Sequence, residues 1–250
     1  MYTYDTTLTI FDWDDTLMCS SFIQQTQYKG AACRALRLAQ LLGQVVIITN
    51  AEHGWVELCA QRYLRGVNEL LEDIPVVSAR TRFEAQFPGS PVSWKAAAFA
   101  YVLHEQFSAI RNKPKLVVSI GDSEEERAAV RIAAAQHAMI SSCTVKFLPQ
   151  PMPRALAVEL DMVTTQLRAL CRGIDASVEA YNNNSGSSSS NEMEPYCNAT
   201  VSYTISQEAV TCACLEEHAR SAALCSKHSA ASIAAAAAGG NAAAALFAIA

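Results

Sequence analysis

Two carboxylates one residue apart, Asp12 and Asp14, stand where the apolar stretch Leu8-Thr9-Ile10-Phe11 breaks into the polar run Asp12-Trp13-Asp14-Asp15-Thr16. Side chains alternate faces along a strand, but where a strand gives way to a loop both carboxylates can turn toward one open edge of a sheet. A pair so placed suits phosphoryl transfer, with one oxygen as nucleophile, the other as general acid and base, and a hard Mg²⁺ ion to hold them together. Read alone, the run is more often a polar turn that starts a helix with Asp or Thr as N-cap. The elements around it decide between the two.

Four further short apolar runs follow, over residues 45–49, 74–78, 116–120 and 144–148. They are β-branched and nearly continuous, as parallel strands buried on both faces are. Helical patterns lie between them at 29–42, 52–71, 93–109 and 124–137, and another at 154–172 closes the series. Repeated β-α alternation predicts an α/β fold, a doubly wound, Rossmann-like parallel sheet of about five strands with right-handed crossovers. In such a sheet ligands bind beyond the carboxyl ends of the strands, where the strand order reverses.

Residues just after strands therefore carry the functional reading. Asp12 and Asp14 follow the first, and Thr49-Asn50 follows the second with a hydroxyl and an amide for a phosphoryl oxygen. Gly121-Asp122-Ser123-Glu124-Glu125-Glu126 follows the fourth, and Lys95 stands near the start of the third long helix. Seen singly, a threonine ending a strand is an edge residue, a lysine at a helix start is solvated, and the glutamates favour a helix dipole. Arranged in this order they compose one phosphoryl-transfer site.

The ordered set resembles the haloacid dehalogenase-like superfamily, in its phosphatase branch, over about residues 7–148. Asp12-Trp13-Asp14-Asp15-Thr16 matches the family's first motif, Thr49 its second, Lys95 its third and Asp122 its fourth. The acid that usually completes the fourth motif as Asp is here Glu126, with Glu125 as competitor. The phrase Thr49-Asn50-Ala51-Glu52-His53-Gly54-Trp55 also resembles a little-characterised eukaryotic subgroup of the superfamily.

The resemblance implies that Asp12 attacks phosphorus to form an aspartyl-phosphate while Asp14 protonates the leaving oxygen and then activates water. It implies a Mg²⁺ cofactor on Asp12, the Asp14 carbonyl and Asp122, with Glu126 or Glu125 as the further acid, and Thr49, Asn50 and Lys95 on the phosphoryl oxygens. The gaps on either side of Thr49 hold only elements that the core needs, so no cap domain is expected. Within the family an open site goes with large substrates such as phosphoproteins, or with a partner subunit that supplies a lid. Trp55, Arg80, Arg82 and Trp94 are expected near the opening, Arg82 as a grip for a second anionic group. A scaffold without turnover and a phosphotransferase are the rival functions.

The formal net charge of −5 implies no basic surface for nucleic acid. No run is long and apolar enough for a membrane span, and the start lacks the features of a secretory signal, which points to a soluble cytoplasmic protein. Cys19, Cys33, Cys59, Cys143 and Cys171 lie among apolar neighbours as small buried thiols do. Cys212-x-Cys214 with His218 and Cys225 lacks the second matched pair of a zinc site. Asn198-Ala199-Thr200 matches a glycosylation acceptor that a cytoplasmic chain does not use. Composition shifts at Asn182 to Asn/Ser-rich and then Ala-rich sequence. The expected division is a core over 1–181 and a disordered low-complexity tail over 182–250.

Overall fold

A computed structural model describes residues 2–22, 29–110, 112–137, 139–184, 200–216 and 220. The chain divides into two compact units, Met1–Gln207 and Glu208–Ala250. In the second, residues 208–216 are helical and include Cys212 and Cys214, whereas His218, Cys225 and the alanine blocks lie outside the described residues.

The first unit is built on six parallel strands, β1 (Thr7–Phe11), β2 (Gln44–Thr49), β3 (Val76–Ser78), β4 (Lys115–Gly121), β5 (Ile140–Lys146) and β6 (Thr200–Thr204), in the order β3-β2-β1-β4-β5-β6. Every residue of β1 and of β4 is buried, which is why both read as continuous apolar runs. Phe11 pairs with Ile47 on one side and Ile120 on the other, and the Asp12 amide donates to the Ile120 carbonyl at 2.9 Å. The first carboxylate is thus pinned by the sheet itself. The strand order reverses between β1 and β4, so the crevice opens beside Asp12.

Helices cover both faces. On one lie α1 (Lys29–Leu42), α2 (Trp55–Tyr63), α3 (Arg65–Leu70) and α7 (Pro153–Asn184), packed on Phe11, Ile47, Val118 and Val145. On the other lie α4 (Ala79–Phe83), α5 (Pro91–Phe107) and α6 (Glu124–Ala135), packed on Leu8, Ile10, Val46, Ile48 and Val117. Spacing accounts for each face: α1 buries Ala31, Ala32, Ala35, Leu36 and Ala39, one stripe of a 3.6-residue helix. Of the five core cysteines, Cys19, Cys59 and Cys143 are buried and Cys33 and Cys171 half-buried, all as free thiols.

Three differences from the sequence reading have physical causes. The helix expected over 52–71 is two helices, because the chain breaks at Leu64 (φ −128°, ψ 57°), which buries Leu64 and Val67 together. β5 begins at Ile140, four residues ahead of the expected start, because its first half contains the fully buried serines Ser141 and Ser142. The sixth strand falls inside the segment expected to be a disordered tail, and over Thr200–Thr204 that expectation is corrected. β6 is mostly exposed and polar, so hydrophobic pattern does not reveal it. Instead, Thr144 donates to Ser202 at 3.0 Å, and Arg127 donates to the Tyr203 carbonyl at 2.7 Å and the Thr204 hydroxyl at 2.9 Å. The rest of the expected tail up to residue 199, Asn198 included, lies outside the described residues except for the end of α7.

No described helix is long and apolar enough to cross a membrane. One residue sets how closely α1 can turn into β2: a Cβ on Gly43 would lie 2.3 Å from the Thr7 carbonyl oxygen. Gly43→Ala therefore has to push the start of β2 away from β1. The expected cost is about 1–3 kcal/mol, read as a lowered urea midpoint with unchanged m-value.

Candidate active site

The loop after β1 folds back on itself. The amides of Thr16, Leu17 and Met18 all donate to the Trp13 carbonyl at 2.9–3.3 Å, and Asp15 takes a left-handed conformation (φ 55°) that an Asp tolerates. Asp15 is fixed there by the Ser21 amide at 3.0 Å and the Ser21 hydroxyl at 2.8 Å. The fold-back returns the buried Thr16 hydroxyl to Asp12 Oδ2, to which it donates at 3.3 Å.

Asp12 faces a buried cation. Lys95 occupies the apolar stripe of α5, among Trp94, Ala98, Phe99 and Val102, and only 2% of it is exposed. Its Nζ donates to Asp12 Oδ1 at 2.5 Å and lies 2.9 Å from Glu126 Oε1. The other oxygen of Glu126 accepts from the Ser123 amide at 3.0 Å and from the Ser123 hydroxyl, a capping box that starts α6. Gly121 makes room for this carboxylate, since a Cβ there would sit 2.6–2.8 Å from the Glu126 side chain. Of the two competing glutamates, Glu126 joins the buried cluster. Glu125 instead accepts from Asn50 Nδ2 at 3.1 Å, a link between the ends of β2 and β4.

Asp14 is held apart from this cluster. Its Oδ1 accepts from the Ser20 hydroxyl at 2.5 Å and from the Trp55 indole N–H at 3.1 Å, and its Oδ2 from the Thr49 hydroxyl at 3.4 Å. Lys146 Nζ donates to the Asp122 backbone carbonyl at 3.1 Å and so ties the loop after β4 to the end of β5.

The electrostatics follow from one cation among several acids. Burial, opposed by Lys95 and reinforced by Glu126 and Asp122, pushes the Asp12 carboxyl up to about 7. Burial also pushes Asp122 up to about 6, with Glu126 and Asp15 adding to it. Glu126 goes the other way: burial opposes its charge, but Lys95 and the Ser123 hydroxyl outweigh it and hold the carboxyl below its ordinary value. Burial likewise works against the Lys95 ammonium, yet Asp12 and Glu126 keep its pKa above that of an ordinary lysine.

The donor chemistry fits Mg²⁺. Asp12, the Asp14 carbonyl and Asp122 offer oxygens of the hard kind that Mg²⁺ prefers. Among the described residues no three or more His, Cys, Asp or Glu side chains form a metal-holding group. Mg²⁺ needs fewer, since it binds through one or two carboxylates and keeps several waters. Both carboxylate oxygens of Glu126 have partners, Lys95 on one and Ser123 on the other.

The sequence-predicted residues thus separate. Asp12, Lys95 and Glu126 form the buried cluster, Asp14 and Thr49 sit beside it, Asp122 couples to it electrostatically, and Asn50 bridges over to Glu125. Arg82 is not brought in: its guanidinium stacks on the Tyr101 ring, 3.7 Å from the centroid. Arg80 pairs with Glu84 at 3.1 Å and with Glu52 at 3.6 Å. Thr16, Ser20 and the bond from Trp55 to Asp14 were not foreseen, and a tryptophan in the polar stretch after β2 was their one visible signal. A cavity of about 270 Å³ lies elsewhere, lined by Cys33, Arg62, Tyr63, Leu64, Arg65 and Gly66. Comparison with protein-family models, with curated proteins and with solved structures finds no match to this chain.

Two stability predictions follow from burial. Lys95→Met leaves Asp12 and Glu126 buried without their cation, with an expected loss of about 3–5 kcal/mol in urea unfolding at pH 8. Glu159 on α7 is fully buried, accepts from the Leu148 amide at 2.7 Å, and has no hydrogen-bond partner for Oε2 among the described residues. Burial raises its carboxyl to about 7, above the 4.5 of an unperturbed glutamate. The folded state then binds the proton more tightly than the unfolded state. Stability from this group is complete below pH 4.5 and is lost as pH rises through 7, by an amount on the order of 3 kcal/mol. Glu159→Gln should lose less stability than the parent between pH 5 and pH 8.

Proposed function

We propose that this chain is a Mg²⁺-dependent phosphohydrolase of the haloacid dehalogenase-like type, which cleaves phosphate monoesters through an aspartyl-phosphate on Asp12. The observation that carries the reading is the division of labour between two carboxylates at the switch point of the sheet. One is buried against a lysine, and the other is held separately by neutral donors.

In the first step an Asp12 carboxylate oxygen attacks phosphorus. The ester P–O bond breaks, and the leaving oxygen takes a proton from Asp14. In the second, Asp14 removes a proton from water as the water oxygen attacks phosphorus, the bond to Asp12 breaks, and inorganic phosphate leaves. Lys95 holds Asp12 in place and neutralises charge that builds on the phosphoryl group, while the Thr49 hydroxyl turns from Asp14 to a phosphoryl oxygen. Asp12, the Asp14 carbonyl and Asp122 would hold Mg²⁺, which would supply positive charge for the approach of a carboxylate to a phosphate.

The elements between β2 and α5 are α2, α3, β3 and α4, all packed on the sheet, so no described segment there serves as a cap. An uncovered site fits a phosphorylated macromolecule such as a phosphoprotein, or a small phosphate ester under a lid supplied by a partner.

The test is Mg²⁺-dependent release of phosphate from p-nitrophenyl phosphate. Asp12→Asn is expected to lower kcat by at least ~10³-fold, with chelation of the metal abolishing the remainder. A parent chain that neither turns over substrate nor binds beryllofluoride with Mg²⁺ would sink the reading.

A further inference from the structure

Asp14 Oδ1 and Oδ2 are not equivalent. Oδ1 receives two donors at 2.5 and 3.1 Å, and Oδ2 receives one at 3.4 Å. The donors also differ in kind. A hydroxyl both donates and accepts, so Ser20 and Thr49 can reverse, and Ser20 already lies 3.4 Å from the Met18 carbonyl as an alternative acceptor. An indole N–H only donates. Trp55 is also hard to move, because it follows Gly54 (φ 88°) as the first residue of α2 and packs half-buried on the core of that face.

Building on the phosphohydrolase reading, we propose that Trp55 is a positioning residue that fixes the orientation of the Asp14 carboxyl, and so which of its oxygens meets the reacting group. Two donors on Oδ1, one of them an obligate donor, hold the carboxyl in one orientation and leave Oδ2 as the oxygen that exchanges a proton with the reacting group. Oδ2 has only the long contact to Thr49, whose hydroxyl turns away when the phosphoryl group arrives. As the ester bond breaks, the Oδ2 proton passes to the leaving oxygen and Asp14 becomes a carboxylate. In the second step the proton from water returns to Oδ2. Without the indole N–H the carboxyl is free to rotate, so the acid is misaimed in part of the population.

Such a role has a signature that loss of folding does not share. Protonation matters most for a poor leaving group, so Trp55→Phe should lower kcat on an alkyl phosphate by ~10-fold or more. On p-nitrophenyl phosphate, whose leaving group needs little protonation, the loss should stay under ~3-fold, with KM unchanged on both. A second measurement reads the hydrogen bond without turnover. The indole N–H resonances of Trp13, Trp55 and Trp94 are followed by ¹⁵N-correlated NMR, with Trp55→Phe assigning its own signal, and Asp14→Ala should move the Trp55 resonance and leave that of Trp94 in place. Equal kinetic losses on the two substrates, an effect on KM only, or an unmoved Trp55 resonance would each overturn the proposal. A parent chain without turnover overturns the phosphohydrolase reading and this proposal with it. An active parent whose Trp55→Phe variant shows no selective loss overturns only the role of Trp55.

Discussion

Everything at the mouth of the crevice depends on one buried ammonium group. Taking Lys95 out of water is costly, by several kcal/mol even after relaxation, and the cost is offset only where the partners are close and well directed. Asp12 and Glu126 meet that condition from two different directions, one from the end of β1 and one from the first turn of α6. The triad therefore fastens a strand and two helices at one point. Since Glu126 also closes the capping box of α6 with Ser123, the helix start and the lysine are fixed by the same carboxylate.

The arrangement also leaves a charge imbalance. One cation faces two carboxylates directly and Asp122 adds to the field, so the burial that raises Asp12 and Asp122 is reinforced by their acidic neighbours and only partly offset by Lys95. The buried wall of β1 and β4 side chains makes each of these charges count for more than in water. Lysine in the apolar stripe of α5 is a local violation of helix patterning, and such violations gather where structure serves chemistry.

The sheet and most of the site were legible because both rest on strands. Apolar β-branched runs announce parallel strands, and the residues that follow them need no knowledge of side-chain orientation to be placed at the sheet edge. Lys95 was readable for a similar reason, since its position on α5 follows from where that helix starts. Legibility failed where the chain folds back or where helix phase decides. Glu125 and Glu126 are adjacent in sequence, but one turns to Asn50 and the other to Lys95. Ser20 and Thr16 reach the carboxylates only because Asp15 takes a left-handed turn, which no local pattern announces. Arg82 looked well placed by proximity, yet an aromatic ring one turn and more along α5 captures it. β6 escaped because backbone pairing and hydroxyl contacts to β5, with Arg127 of α6, hold it in place rather than apolar burial.

The seclusion of Lys95 has a chemical consequence of its own. Acylating and carbamylating reagents attack the neutral amine of exposed lysines, and this one is 2% exposed and held as an ammonium ion by two acids. Its nitrogen stays hidden from such reagents for as long as β1, α5 and α6 remain together. Modification at this one position would therefore record how often the three elements come apart, giving the chain a built-in chronometer of its own opening.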